Sequence, residues 1–135
     1  MTIKSVGNNM SDTPFTERFR EDKDYFFDEG CYINELLNTE ADPQLSVARA
    51  RVLPGETTRW HKLLGTTERY LIVAGVGSAE VGDEPALELT RGDVLVIPPG
   101  VRQRITNTGS EVLEFLALCT PRFEPQAYVD LENAE

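Results

Sequence analysis

The sequence predicts an all-β fold, a single domain built as an antiparallel sandwich or barrel, and three observations carry that prediction. Short runs rich in β-branched and aromatic residues recur from Cys31 onward. Glycine, proline and asparagine signals punctuate them at close intervals, with no long amphipathic helix between. The length of 135 residues suits one domain, since a chain of this size buries roughly two thirds of its unfolded surface and needs no staple.

In chain order, residues 1–24 are polar and acidic without a sustained period. They read as a flexible acidic arm, with residues 17–24 able to form a short solvated helical turn. The β-rich runs then follow at 31–37 (CYINELL), 45–53, 57–64, 69–75, 78–82, 86–89, 93–98, 101–107 and 111–119. Between them stand Pro54-Gly55, Gly65, Gly75, Gly82-Asp83, Gly92-Asp93 and Pro98-Pro99-Gly100, residues that suit tight turns. The barrel is therefore expected over 25–121. The tail, 122–135, carries Pro125 and then an acidic stretch, which suits a segment packed on the barrel or disordered.

Charge narrows the function classes. With 13 Lys and Arg against 23 Asp and Glu, the net charge of −10 argues against nucleic acid and anionic membranes as partners. The acidity sits at the ends: residues 1–45 hold ten acids and four bases, 46–110 seven and eight, 111–135 six and one. No apolar run approaches the ~20 residues that span a bilayer, and the amino-terminal segment has no apolar signal core. Cys31 and Cys119 lack metal-ligand or redox-pair spacing, so reduced thiols and a cytoplasmic setting are expected.

Two segments have a spacing of their own. In the first, Gly55 is followed after five residues by His61, then by Leu63 two positions on, Glu68 after four more and Gly75 after six. In the second, Gly92 is followed by Pro98, Gly100, Gln103 and Asn107. These resemble the paired motifs of the cupin superfamily, and the resemblance covers most of residues 30–120. It implies a cupin-type jelly roll with His61, Glu68 and Gln103 gathered inside the barrel. Leu63 and Gln103 stand where the family motifs carry histidine, so the implied metal set is His61, Glu68 and Gln103, holding Mn, Fe, Ni or Zn more weakly than a three-histidine site would. The resemblance further implies a homodimer paired through an edge sheet, with the 31–37 strand as the apolar edge.

Strand alternation agrees with that arrangement. His61 shares a face with Arg59 and Leu63, Glu68 with Tyr70 and Ile72, and Gln103 with Val101 and Ile105. His61 and Glu68 are the candidate catalytic pair: Glu68 acts as ligand, as general acid or base, or as half of a structural ion pair. Arg59, Tyr70 and Gln103 are the candidate substrate-binding residues. Arg59 is either an anion clamp or a rim arginine, Tyr70 a pocket hydroxyl or core aromatic, and Gln103 a ligand or a hydrogen-bonding orienter. Trp60 lies opposite His61 and reads as sheet or interface packing. Arg49 and Arg51 share one face; inward they would select anions, outward they would pair with the acidic ends, and the usual exposure of arginine favours outward. Two functions follow. One is a cupin binding a small molecule as an isomerase-, lyase- or oxygenase-type enzyme acting on an anionic or hydroxylated substrate, with or without metal. The alternative is a non-catalytic ligand-binding or sensory module.

Overall fold

The computed structural model describes residues 10–28 and 30–132. The first nine residues of the expected arm and the last three of the tail lie outside that range. Eleven strands form two antiparallel sheets. They are β1 (Tyr25–Asp28), β2 (Cys31–Leu37), β3 (Ser46–Val52), β4 (His61–Leu63), β5 (Thr67–Ala74), β6 (Val76–Val81), β7 (Leu87–Thr90), β8 (Val94–Ile97), β9 (Gln103–Asn107), β10 (Leu113–Thr120) and β11 (Tyr128–Asp130). The larger sheet runs β1-β2-β3-β10-β5-β8 and the smaller β11-β4-β9-β6-β7. The crossovers β3-β10-β5 and β4-β9-β6 join strands far apart in sequence, as a jelly roll requires.

Alternation decides which side chains enter the core. Along β3, Ser46, Ala50 and Val52 are buried while Arg49 and Arg51 point outward. Along β5 it is Glu68, Tyr70 and Ile72, and along β9 Gln103, Ile105 and Asn107. The fully enclosed Val52, Ile72, Ile97, Ile105 and Leu113 join the two sheets into one apolar core.

Two motif positions are explained by this packing. Gly75, at the corner from β5 to β6, has φ of 85°, and a Cβ there would stand 2.7 Å from the Val112 carbonyl oxygen. Asn107 is buried; its Nδ2 donates to the carbonyls of Val52 and Glu111, both at 2.8 Å, and its Oδ1 accepts from Gly109 N at 2.9 Å. It therefore ties the β9–β10 turn to β3.

Two expectations are corrected here, and the structure adds detail at the tail. The strand 31–37 is not an edge: β3 pairs one side of it and β1 the other. The run 57–64 pairs regularly only over His61–Leu63, with an isolated bridge from Thr57 to Thr106. The tail adds a strand, β11, which pairs β4 in the register Tyr128 to Leu63 and Asp130 to His61. At the other end, Glu21–Lys23 form a single 3-10 turn, and residues 20–24 lie on the outer face of β2 and β3. Asn34 Nδ2, buried beneath them, donates to Arg20 O at 2.9 Å and to Asp24 Oδ1 at 2.6 Å. Asp24 also meets Arg49 at 3.1 Å and Arg51 in a second, shorter contact. Both arginines are thus outward and paired with one acid from the chain's acidic end. Among the described residues no helix is long and apolar enough to cross a membrane.

Candidate active site in the barrel interior

Between the sheets lies a cavity of about 130 Å³. Its polar end is assembled by three strands. β4 supplies His61 and Leu63, β5 supplies Glu68 and Tyr70, and β9 places Gln103 directly across from His61. β10 adds Cys119, the cross-strand partner of Glu68.

Glu68 is the centre of this group. It lines the cavity, is only 8% exposed, and its Oε1 is buried without a hydrogen-bond partner. Burial, which penalises the carboxylate, pushes its pKa up to about 7, against a lowering contribution from the Gln103 amide. Gln103 is itself enclosed and accepts a hydrogen bond on Oε1 from the Tyr70 hydroxyl. Its two amide atoms therefore serve Tyr70 and Glu68. Burial also raises Tyr70 well above the usual phenol value, with Glu68 reinforcing the shift, and takes Cys119 up to about 12.

His61 is fixed differently. Its Nδ1 lies 2.9 Å from its near neighbour Arg59 O, so Nδ1 carries the donated proton and Nε2 keeps the lone pair. Its ring stacks on Tyr128 of β11, with centroids 5.0 Å apart and planes at 17°. Burial holds its pKa below the usual value, with the Arg59 carbonyl and Asp130 opposing, so it is neutral near pH 7.

The candidate residues do not all come together. His61, Glu68 and Tyr70 line the cavity, and Gln103 stands directly behind Tyr70 and Glu68. Arg59 does not line it: Nε and Nη2 grip Asp130 Oδ2 at 3.1 and 3.0 Å, which makes it the rim arginine rather than an anion clamp. Trp60 is outside the cavity lining and packs against the guanidinium groups of Arg102 and Arg104, 4.8 and 4.3 Å from its ring centre. Lining residues outside the candidate set include Glu35, Phe27 and Tyr128. Glu35 of β2 shares the parity of Cys31 and Ile33, a signal present in the run CYINELL, whereas Phe27 and Tyr128 come from segments without a strand pattern.

The fold's histidine positions invite a test for a divalent ion, and the donor set does not fit one. Of the expected ligands, Glu68 Oε1 is buried without a hydrogen-bond partner and His61 Nε2 holds a lone pair. Gln103 Oε1 is taken by Tyr70, and Leu63 fills the neighbouring histidine position with an apolar side chain. Among the described residues no three His, Cys, Asp or Glu side chains form a ligand cluster. Of the expected His61, Glu68 and Gln103, the first two line the cavity and Gln103 stands behind them.

Known proteins agree with the architecture. The family described as Cupin domain matches residues 48–119. The chain belongs to the cupin family. Over 115 residues this cupin is 33% identical to an uncharacterized protein of Methanocaldococcus jannaschii, covering 84% of this chain and 89% of that one. Among solved structures it is similar to KdgF from Halomonas sp., with a TM-score of 0.72, 18% identity and coverage of 84% of this chain and 99% of that one. It is also similar to a predicted oxalate decarboxylase from Thermotoga maritima, with a TM-score of 0.62, 31% identity and coverage of 67% and 80%.

Proposed function

We propose that this cupin is a small-molecule enzyme in which Glu68 transfers protons as general acid and base. The observation that carries the reading is the Oε1 atom of Glu68, buried, unpartnered and facing a cavity. A carboxyl with a pKa of about 7 is divided between its two forms at neutral pH, so it can both give and take a proton. Gln103 holds the carboxyl in position through the Tyr70 hydroxyl bond, and His61 Nε2 accepts a hydrogen bond from a substrate hydroxyl or amine beside it.

The lining contains neither Lys nor Arg, so of the anionic and hydroxylated substrates expected from the sequence it favours the second. A dianion such as the substrate named for the Thermotoga relative would meet no balancing side chain. No step is routed through a metal, because the donors do not make a site for one. A cytoplasmic setting suits two buried cysteines that form no disulfide.

The alternative, a binding module, shares the cavity but moves no protons, which sets the test. Molecules released from the purified protein by denaturation are identified by mass spectrometry and incubated with fresh enzyme in deuterium oxide. Deuterium incorporation or turnover that disappears in Glu68→Gln is the expected result. Retention of the ligand by wild type without exchange or turnover would leave only the binding module.

A further inference from the structure

The walls of the cavity carry information about charge that the catalytic reading does not use. Six aromatic rings face it: Tyr25 and Phe27 from β1, Tyr70 from β5, Phe115 from β10, Phe123 from the tail and Tyr128 from β11. The ionisable groups in the same lining are acidic or neutral. Glu35 stands on one side and Glu68 on the other, and His61 is held neutral by burial. Of the basic residues beside the lining in sequence, none lines the cavity: Arg49 and Arg51 pair with Asp24, Arg59 with Asp130, Arg69 bonds Thr67 O and Thr120 Oγ1, and Arg122 bonds Asn38 Oδ1, while Lys62 is likewise outside the lining.

Register places Glu35 and Glu68 on the same sheet. Glu35 pairs with Ala48, Ala48 with Ala117, and Ala117 with Tyr70, so Glu35 and Tyr70 stand three strand spacings apart along that sheet, about 14 Å between backbones. Glu68 is two residues along β5 from Tyr70 and on the same face. Tyr25 and Phe27, lining the cavity yet 45% and 39% exposed, mark its open side, and Glu68 its closed one. A volume of about 130 Å³ is close to that of cavities that take a benzene-sized guest.

Aromatic faces present negative potential to a cation, and a carboxylate stripped of water needs a positive partner. An anion here would face two carboxylates. A neutral guest without a hydrogen-bond donor would leave Glu68 Oε1 as it stands, buried and unbonded. We propose that the barrel cavity binds a small organic cation, an alkyl- or methylammonium group of roughly benzene size, held by the aromatic walls and by the carboxylates of Glu68 and Glu35. This rests on Glu68 as the working group of the site and adds the charge of the molecule it meets.

The binding has a proton signature. A cation beside Glu68 stabilises its carboxylate, so near pH 7 the carboxyl gives its proton to solvent as the ligand enters. The titratable groups around it are Tyr70 on β5, Cys119 on β10, Cys31 on β2, His61 on β4, Tyr128 on β11 and, across the cavity, Glu35. Tyr70 and Cys119 stay protonated far above neutrality and His61 is already neutral, so none of these three competes for that release.

Titration calorimetry of the full chain with three probes of matched shape tests this: tetramethylammonium, tert-butanol and pivalate. Tetramethylammonium should bind about ten-fold or more tighter than tert-butanol, with pivalate weakest, and should strengthen as pH rises through about 7. Comparison in two buffers of different ionisation heat should show proton release. In Glu68→Gln, a near-isosteric change, the release should vanish and the cation preference should fall to what the aromatic walls and Glu35 supply. In Glu35→Gln, on the more open wall, cation affinity should fall several-fold with the release intact. Equal or tighter binding of tert-butanol or pivalate by wild type would overturn the cationic ligand and leave the acid–base reading standing, as would failure of all three to bind. If Glu68→Gln binds tetramethylammonium like wild type, the cationic ligand falls, and loss of the deuterium exchange test as well would remove the acid–base reading with it.

Discussion

Glu68 couples the site to the stability of the whole fold. Its carboxyl has an ordinary pKa of 4.5 and a folded value of about 7, so the folded protein keeps a proton that the unfolded chain gives up. The sign follows: this contribution is fully present below pH 4.5 and is lost as pH rises through about 7. The loss is about 3 kcal/mol at 1.36 kcal/mol per unit. Urea unfolding measured across this pH range should show a fall that Glu68→Gln flattens; parallel curves for the two proteins would rule it out. The metal result can be inverted in the same spirit. Because Leu63 lines the cavity and Gln103 faces His61, Leu63→His with Gln103→His should create a four-donor set with His61 and Glu68. Elemental analysis should then return close to one bound divalent ion per chain, against far less in wild type. The convergence of His61, Glu68, Tyr70 and Gln103 is legible in the sequence because motif gaps and strand parity act together. Arg59 is not, because regular pairing starts only at His61 and its partner Asp130 lies 71 residues away.

At the scale of elements, the two strands that the sequence does not reveal are both edges. β1 is four residues with three adjacent aromatics and a register shift, so it shows no alternation. β11 sits behind Pro125 in a short run held by pairing with β4, by the stack of Tyr128 on His61 and by the Arg59–Asp130 ion pair. Both owe their structure to tertiary contact rather than local pattern. Yet they supply Tyr25, Phe27 and Tyr128, half of the aromatic wall. Asp24 fastens β1, gathering Asn34, Arg49 and Arg51 from two strands with its own side chain only 17% exposed. Asp24→Ala should lower stability by about 1–2 kcal/mol, the scale of a charged hydrogen-bond cluster partly open to water. Hydrogen exchange should rise first at Tyr25–Asp28, and uniform acceleration across both sheets instead would mean that β1 has no separate fastening.

For the molecule as a whole, the free edges of the larger sheet are β1 and β8, since β2 is enclosed on both sides. Edge strand β8 exposes Val94 and Val96, each 56%, and β1 exposes Phe26. Leaving such apolar edges in water is unfavourable, and pairing of two copies covers them. Light scattering should therefore give twice the chain mass of 15.1 kDa, and Val94→Lys with Val96→Lys should halve it. A wild-type monomer at micromolar concentration would dispose of the pairing. The buried thiol of Cys119 lies across from Glu68 in the larger sheet. Because Cys119 has its pKa pushed to about 12, almost none of it is thiolate at neutral pH, and its reaction with a thiol reagent has to wait for the sheets to part. The residue is thus a built-in clock: its labelling rate times the opening of the chamber, and a guest that fills the chamber should slow it.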